Sequence, residues 1–521
     1  MSPSRRGREI EFPPVPRGFT RPPPRRGGPG RLVALAVILA LLVSGGIVLF
    51  RRLQADGAVS LVVLGLAGSS GDPERLVGAA IAGPGALQAT TDENGAASLA
   101  LTIPADVEVS APGYETGTFR ITEVPDGGPI GLQLEPVVLR GRVTDPDGAG
   151  IAAVLVRSGE HEATTDDSGA FTLVAPLPGP ISATRSAWEG AEEEWDGSLR
   201  DFEIVLEPFV VRGIRVTGVA AGSPTDFPRL LDMIEGTVVN ALVFDTKDED
   251  GAVHYASQVP AAQESGVARD TYDVETVLAT ARERGLYTIT RIVTFQDPKW
   301  APANPEHAAR NTATGGAWVN DRGLAWADPT DREAWEYPLA LAVEACRLGF
   351  DEVQFDYVRF PSDGDVSVLG YDEDVDEDGR VATISAFLSE ARDRLHAEGC
   401  AISADIFAIV LSFPNDQGIG QRLEELSRSV DVLSPMIYPS HYSAGWLGFD
   451  NPNDHPSEVV RQALDAGMPR LDGAMFRPWL QAFYYDAGQI AEEIAEAERY
   501  DLGWMLWNAA SQFEAGWFPT E

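Results

Sequence analysis

Asp356 and Arg359 sit in the run FDEVQFDYVRFPSDG, residues 350–364, where one carboxylate, one guanidinium and the amide of Gln354 interrupt a stretch of Val, Phe and Tyr. Such a run reads as a β-strand, so Gln354 and Asp356 share one face while Val353, Phe355 and Tyr357 share the other. If the apolar face meets helices, Asp356 points inward. A carboxylate there must be hydrogen-bonded, paired or shifted in pKa, because burying it alone is prohibitive. The same alternation brings further groups to the ends of apolar runs: Asp245 and Lys247, Arg291, Asp405 after Ser403, and Tyr438 ahead of His441 and Tyr442. Trp479 alternates with Gln481, and Trp507 and Asn508 close the last run. Aromatic faces stack on sugar rings, amides and charges pair with hydroxyls, and carboxyl groups move protons or attack carbon, so this set reads as a saccharide site. Hydrolysis asks for two carboxyl groups, about 5–5.5 Å apart for retention and roughly 6.5–9.5 Å for inversion. Asp356, Asp405 and Asp245 are the candidates, and Asp245 with Lys247 is assigned to binding. The competing reading of Asp356 is an ion pair with Arg359 or Arg291 that only ties strands together. Trp300, Trp318 and Trp326 either line subsites or pack the core.

These residues need a frame that gathers strand ends. From about Val210, eight apolar runs alternate with helical stretches such as DVETVLATARERG and ATISAFLSEARDRLHAEG. The runs are GIRVTGV, NALVFDTK, LYTITRIVTF, EVQFDYVRF, AISADIF, VLSPMIY, FRPWLQAFYY and GWMLWN. Eight strand–helix units over 210–521 predict a (β/α)8 TIM barrel, an α/β fold whose chemistry sits at the C-terminal ends of its strands. Upstream, ATTDENGAASL at 89–99 recurs as ATTDDSGAFTL at 163–173, and LEP at 134–136 recurs at 206–208. Short alternating runs broken by Asn-Gly, Asp-Gly and Ser-Gly predict two small all-β sandwiches, 59–136 and 137–208. Both resemble carboxypeptidase-regulatory-like domains, most clearly from Gly141 to Phe171, and lack titratable clusters suited to chemistry. Asp92 and Asp166 are read as turn residues.

The motifs NALVFDTKDEDG, RIVTFQDP, GLAWADP, GFDEVQFDYVRFPSDG, ISADIFAIV, GIGQ, SPMIYPSHY, RPWLQAF and GWMLWNA resemble, in order, those of a family of TIM-barrel glycoside hydrolase domains found in bacterial envelope and secreted proteins. The resemblance covers essentially 210–521 and implies a sugar-polymer site. By wider analogy with retaining barrel glycosidases it implies Asp356 as nucleophile and Asp405 as acid/base, with Arg291 and Arg359 keeping Asp356 ionised. No Glu ends the fourth or seventh strand, so the common paired-Glu arrangement does not apply. The competing function is a non-catalytic carbohydrate-binding protein on the same scaffold.

A chain of 521 residues, 44% hydrophobic with 11 Trp and 21 Phe, is long enough for several cores. Its net charge of −39 excludes nucleic acid as a partner and is unevenly spread, because residues 1–31 form an Arg- and Pro-rich tail expected to be disordered. Leu32–Phe50 carries no charge and has the length of a bilayer-spanning helix, so a single-pass signal anchor is expected, with a cytoplasmic N-terminus and the remaining domains outside. Cys346 and Cys400 fall near the starts of neighbouring strands, where a bridge or two buried thiols are both possible. Asp374, Asp376 and Asp378 imitate the front of a calcium loop, but Ser385 stands where the bidentate Glu belongs, which favours a solvated acidic loop. No other metal-ligand spacing, Ser/His/Asp nucleophile motif or phosphate-cradling Gly loop is found, and no cofactor is expected.

Overall fold

The computed structural model describes residues 58–66, 73–125, 127–198, 201–373 and 375–520. Among them no helix is long and apolar enough to cross a membrane. This overturns the single-pass topology expected from Leu32–Phe50, a segment that itself lies outside the described residues, as does the tail before it.

The chain divides into two compact units between Val137 and Val138. In the first, Ala58–Leu66 pairs antiparallel with Ala96–Ala100 and parallel with Ile130–Leu134. A second four-stranded sheet runs through Leu87–Thr90, Ala80–Gly83, Ala105–Ser110 and Gly117–Ile121. Residues at alternate positions, including Val59, Leu61, Val63, Val107 and Val109, are buried together with Ile81 and Leu132 in one apolar cluster.

The second unit opens with the same pairing pattern. Val138–Thr144 pairs antiparallel with Ala170–Val174 and parallel with Asp201–Val205, beside a sheet of His161–Thr164, Leu155–Ser158, Gly179–Thr184 and Ala191–Trp195. The repeated Thr-Thr-Asp has a physical cause. The second Thr is buried in each copy and its hydroxyl bridges two backbone groups: Thr91 Oγ1 accepts from Ala79 N and donates to Leu76 O, and Thr165 Oγ1 accepts from Val154 N and donates to Ile151 O. The following Asp closes the turn, Asp92 accepting from Asn94 N and Ala96 N and Asp166 from Ser168 N and Ala170 N. Gly95 and Gly169 complete these turns at φ of +65° and +78°, where a side chain would be strained.

Eight parallel strands follow: β1 (Arg212–Val216), β2 (Ala241–Lys247), β3 (Tyr287–Val293), β4 (Glu352–Asp356), β5 (Ala401–Phe407), β6 (Val432–Ile437), β7 (Met475–Phe476 and Trp479–Gln481) and β8 (Trp504–Trp507). Each pairs with the next, and β8 pairs with β1, so the barrel closes. The break in β7 falls at Arg477-Pro478, where proline has no N–H to give the ladder. Outside lie α1 (Asp226–Ile234), α2 (Val274–Glu283), α3 (Arg332–Leu348), α4 (Glu377–Ala397), α5 (Pro456–Gly467) and α6 (Ala487–Glu498). Carboxylates of Asp273, Asp331, Asp376 and Asp486 cap α2, α3, α4 and α6 by accepting first-turn N–H groups. Val353 and Phe355 join the sheet–helix core, Phe355 meeting Phe387 of α4 at 5.3 Å between ring centroids. Val243, Ile289, Trp479 and Met505 form a separate cluster inside the barrel.

Two open readings resolve at the start of β5. Cys346 and Cys400 are bridged, clasping the end of α3 to the residue before β5. Asp376 caps α4 and Asp378 pairs with Arg422 at 2.8 Å, so both acids of the calcium-like run have structural partners; Asp374 lies outside the described residues.

The second strand set is locked to the barrel by a buried triad. Arg185 Nη2 binds Asp431 Oδ1 at 2.5 Å, and His396 Nε2 meets Asp431 Oδ2 at 3.0 Å. Burial opposes the charge on Asp431, but Arg185 and His396 outweigh it and hold the carboxyl well below the usual range. Arg185→Ala is therefore expected to destabilise this unit by about 3 kcal/mol at pH 7, since one buried charge loses its partner. A depressed folded pKa contributes stability above the unfolded value of about 3.9 and loses it below, so the deficit should shrink under acid conditions. Urea unfolding of the variant and the parent at pH 7 and at about pH 2.5, below the unfolded value, checks both.

Candidate active site

The inner face of the barrel mouth is organised by Arg291 of β3, whose side chain is fully buried. Its Nε donates to Asp356 Oδ2 at 3.0 Å and its Nη2 reaches the same oxygen. Nη1 donates to Asp245 Oδ1 at 3.0 Å, and Nη2 also binds Glu249 Oε1 at 2.5 Å. A second guanidinium, Arg215 of β1, forks onto Asp245 at 3.3 and 2.6 Å. The ring of Trp507 covers both cations, 4.0 Å from Arg215 and 4.7 Å from Arg291. Two cations are thus shared among three carboxylates, and each guanidinium also lies against an aromatic face. Burial disfavours the charge on Arg291, but Glu249, Asp356, Asp245 and Asp405 outweigh it and raise its pKa. Burial likewise opposes ionisation of Glu249, and Arg291 and Arg215 overcome it.

Asp405 of β5 is different. It is buried, its Oδ1 accepts from Trp479 Nε1 at 2.8 Å, and its Oδ2 has no hydrogen-bond partner. Arg291 Nε lies 3.9 Å from that Oδ2. Burial, then the charge of Asp356, push the Asp405 carboxyl well above the usual carboxylate range, and the more distant Arg291 does not reverse this. The distances of 3.0 and 3.9 Å from one nitrogen place the two acid oxygens at most about 7 Å apart, a bound that admits the spacing of a retaining pair.

Above these groups opens a cleft of about 850 Å³. Asp356, Glu249, Arg291 and Trp507 form part of its floor, and Tyr438, His441, Tyr442, Phe413 and Trp446 one wall. Tyr442 and Trp446 pack at 5.1 Å between centroids, and Tyr438 meets His441 edge-on at 5.2 Å. Burial lowers the His441 pKa, favouring the neutral ring. The hydroxyls of Tyr438 and Tyr442 and the indole N–H of Trp446 are buried without protein partners, a set of donors and acceptors beside aromatic faces.

Several expected members stand elsewhere. Lys247 does not share the face of Asp245, because an irregularity between them shifts the ladder; it turns outward to Asp297 at 3.0 Å and Val293 O. Asp245 is consumed by Arg215 and Arg291 and does not line the cleft. Gln354 lies one layer deeper, donating to Ser434 Oγ at 3.3 Å. Gln481 is spent on Ser440 N, Asn453 Oδ1 and Phe483 O, and Asn508 on Ala482 O, Ala510 N and Gln512 N, so both tie loops together. Trp479 lies beneath the floor holding Asp405. Trp300, Trp318 and Trp326 are buried and pack the core. Arg359 lines the cleft but makes no ion pair with Asp356, contrary to the role expected for it. Tyr357 leaves the outer face altogether: its φ of +50° ends β4 and swings the ring into the mouth, 6.0 Å from Trp326.

Glu249 and Arg215 were not anticipated. Arg215 carries the same signal that identified Arg291, a guanidinium within an apolar strand. Glu249 belongs to the acidic loop after β2, where no periodicity sets a direction.

A family model described as "Putative glycosyl hydrolase domain" (DUF4015) matches residues 213–513. Among solved structures, a hypothetical protein from Ruminiclostridium thermocellum ATCC 27405 is 36% identical over 37% of this chain and 96% of its own, with a TM-score of 0.34. A class V chitinase from Pseudomonas fluorescens Pf-5 is 14% identical over 59% of this chain and 98% of its own, at 0.38. The glycoside hydrolase domain of PelA from Pseudomonas aeruginosa is 10% identical over 58% and 96%, at 0.35. No curated protein matches the chain.

Proposed function

Since the chain belongs to this glycosyl hydrolase domain family, matched over more than half its length, we propose that it cleaves glycosidic bonds in a polysaccharide or oligosaccharide, with Asp356 and Asp405 as the reacting acids. The observation that carries the reading is the contrast between neighbours. Asp356 is bound by two donors of Arg291 on the cleft floor, while Asp405 close behind it is driven towards its protonated form by burial and by the Asp356 charge. One carboxylate able to engage an anomeric carbon and one carboxylic acid able to give a proton are what the reaction needs. In the retaining form, Asp356 attacks the anomeric carbon as Asp405 protonates the departing oxygen; water, deprotonated by Asp405, then releases the sugar from Asp356. Tyr442, Trp446 and Trp507 supply faces for sugar rings. The upstream strand sets serve as carboxypeptidase-regulatory-like spacers.

Exposure favours Glu249 as a second candidate donor, against the pull of Arg291 and Arg215 that keeps it ionised in the free site. Glu249 lines the cleft and is 30% exposed at its side chain, whereas Asp405 lies under the floor. An aryl glycoside with a good leaving group separates the two, because the first step then needs no acid. The variant of the true donor, Asp405→Asn or Glu249→Gln, should lose about a hundredfold or more on the natural glycan and far less on the activated substrate. Equal losses on both substrates in both variants would remove the acid role from each.

The protonation of Asp405 also sets a pH dependence. A raised folded pKa means the folded protein binds more protons than the unfolded chain above about pH 3.9, so this group's contribution falls as pH rises through the folded value. Catalysis needing its proton should decline over the same interval. Asp405→Asn is expected to abolish the alkaline limb of kcat and to gain stability relative to the parent as pH rises, read by rate profiles and urea unfolding.

A further inference from the structure

The buried cations of the barrel follow one rule with one exception. Arg215 is paired with Asp245, Lys247 with Asp297, Arg291 with Asp245, Glu249 and Asp356, and Arg477 with Glu352. Arg359 is only 6% exposed, yet among the described residues it has no carboxylate within ion-pair distance. Its hydrogen bonds both leave from Nη1, to Phe360 O at 3.0 Å and Ser362 Oγ at 3.2 Å. Nε and Nη2 carry no hydrogen bond to protein.

Its surroundings hold the guanidinium in place without neutralising it. Trp326, Tyr357 and Phe407 surround it with ring centroids 4.9, 5.2 and 4.6 Å away. Asp363 also lines this part of the cleft beyond ion-pair distance of Arg359, its Oδ2 accepting from Asn320 Nδ2 at 2.8 Å and its Oδ1 left without a hydrogen-bond partner, and Arg322 adds a second cation nearby. Burial depresses the Arg359 pKa, and the attraction of Tyr357, Asp363 and Asp356 does not reverse it. A planar, desolvated guanidinium with two free donor nitrogens is shaped for a planar anion.

We propose that Arg359 is a specificity residue that receives a carboxylate carried by the sugar polymer, so that the substrate is an acidic, uronate-type glycan. This rests on the cleft being a glycan site and does not depend on which acid gives the proton. The polymer carboxylate would satisfy Nε and Nη2 together and supply the contact ion pair that Arg359 lacks.

The test is a binding measurement on the full chain, using uronate polymers (polygalacturonate, alginate, hyaluronan), each beside its own carboxyl-reduced form. The parent should bind at least one acidic polymer about tenfold or more tighter than its reduced counterpart, the scale of a charge-assisted hydrogen-bond pair. Arg359→Gln should lose that preference while keeping its affinity for the reduced polymer, and Arg359→Lys should recover only part, lacking the fork. Equal binding of every acidic and reduced pair by the parent would overturn the proposal without any variant being needed. Tighter binding of a sulfated neutral polymer than of any carboxylated one would overturn the carboxylate assignment. Preference without turnover would support this subsite and count against the hydrolase reading; turnover of neutral glycans untouched by Arg359→Gln would do the reverse.

Discussion

Asp356→Asn is expected to lower glycan turnover by about a thousandfold or more while leaving glycan affinity within a fewfold of the parent. Asparagine keeps the shape of the group, and its single carbonyl oxygen can still accept from Tyr357 N, which donates to Asp356 Oδ1 at 2.6 Å, while its amide nitrogen takes the place of the oxygen that Arg291 binds. What it loses is the negative charge and the oxygen able to bond to carbon. The aromatic wall is untouched, so binding and turnover should part. Reducing-end release measured beside binding of the same polymer gives both numbers. Turnover within tenfold of the parent would withdraw Asp356 from the chemistry, and a parent that binds but never cleaves would return the protein to the carbohydrate-binding reading.

Replacing Arg291 with Leu should be the most damaging single change to the fold of the site. Its guanidinium bonds directly to Asp245, Glu249 and Asp356 and lies 3.9 Å from Asp405. Removing it strands Asp356 without its ion-pair partner, since Arg215 already holds Asp245 and Arg359 makes no ion pair with Asp356. A loss of about 4 kcal/mol at pH 7 is expected, the cost of breaking a buried pair from one side. The pH dependence has a definite sign. Without Arg291 the folded acids are harder to ionise, so folding takes up protons, and the penalty, full at neutral pH, falls as pH drops towards the unfolded carboxylate value of about 4. Urea midpoints at pH 7 and pH 4.5 should therefore converge between variant and parent at the lower pH. A deficit that is the same at both pH values would show that Arg291 acts through packing, not charge.

The barrel was legible because its strands are buried runs bounded by Gly- and Pro-rich turns, and all eight lie where alternation placed them. Inward placement of Asp356, Arg291 and Asp405 followed from the same period of two. That period fails wherever the backbone departs from it, and this is where the expectations for the site went astray. The irregularity after Asp245 sent Lys247 outward, and the positive φ of Tyr357 brought an outer-face residue into the cleft. Neither leaves a mark in residue type, since both positions carry ordinary strand residues. Gln481 and Asn508 failed for another reason: barrel-mouth loops expose backbone groups that need partners, and these amides were already taken. The turn role of Asp92 and Asp166, by contrast, was readable because each carboxylate has one local task, carried out alike in both copies.

The two copies have nevertheless met different fates. At the position where the later one carries Arg185, the earlier one, 74 residues upstream by the alignment of their shared turns, has Ala111. Arg185 thus carries the join between the second strand set and the barrel. Trimming the polypeptide at the nominal start of the barrel would unseal Asp431 and His396, so the sensible cut for a minimal fragment falls at Val138.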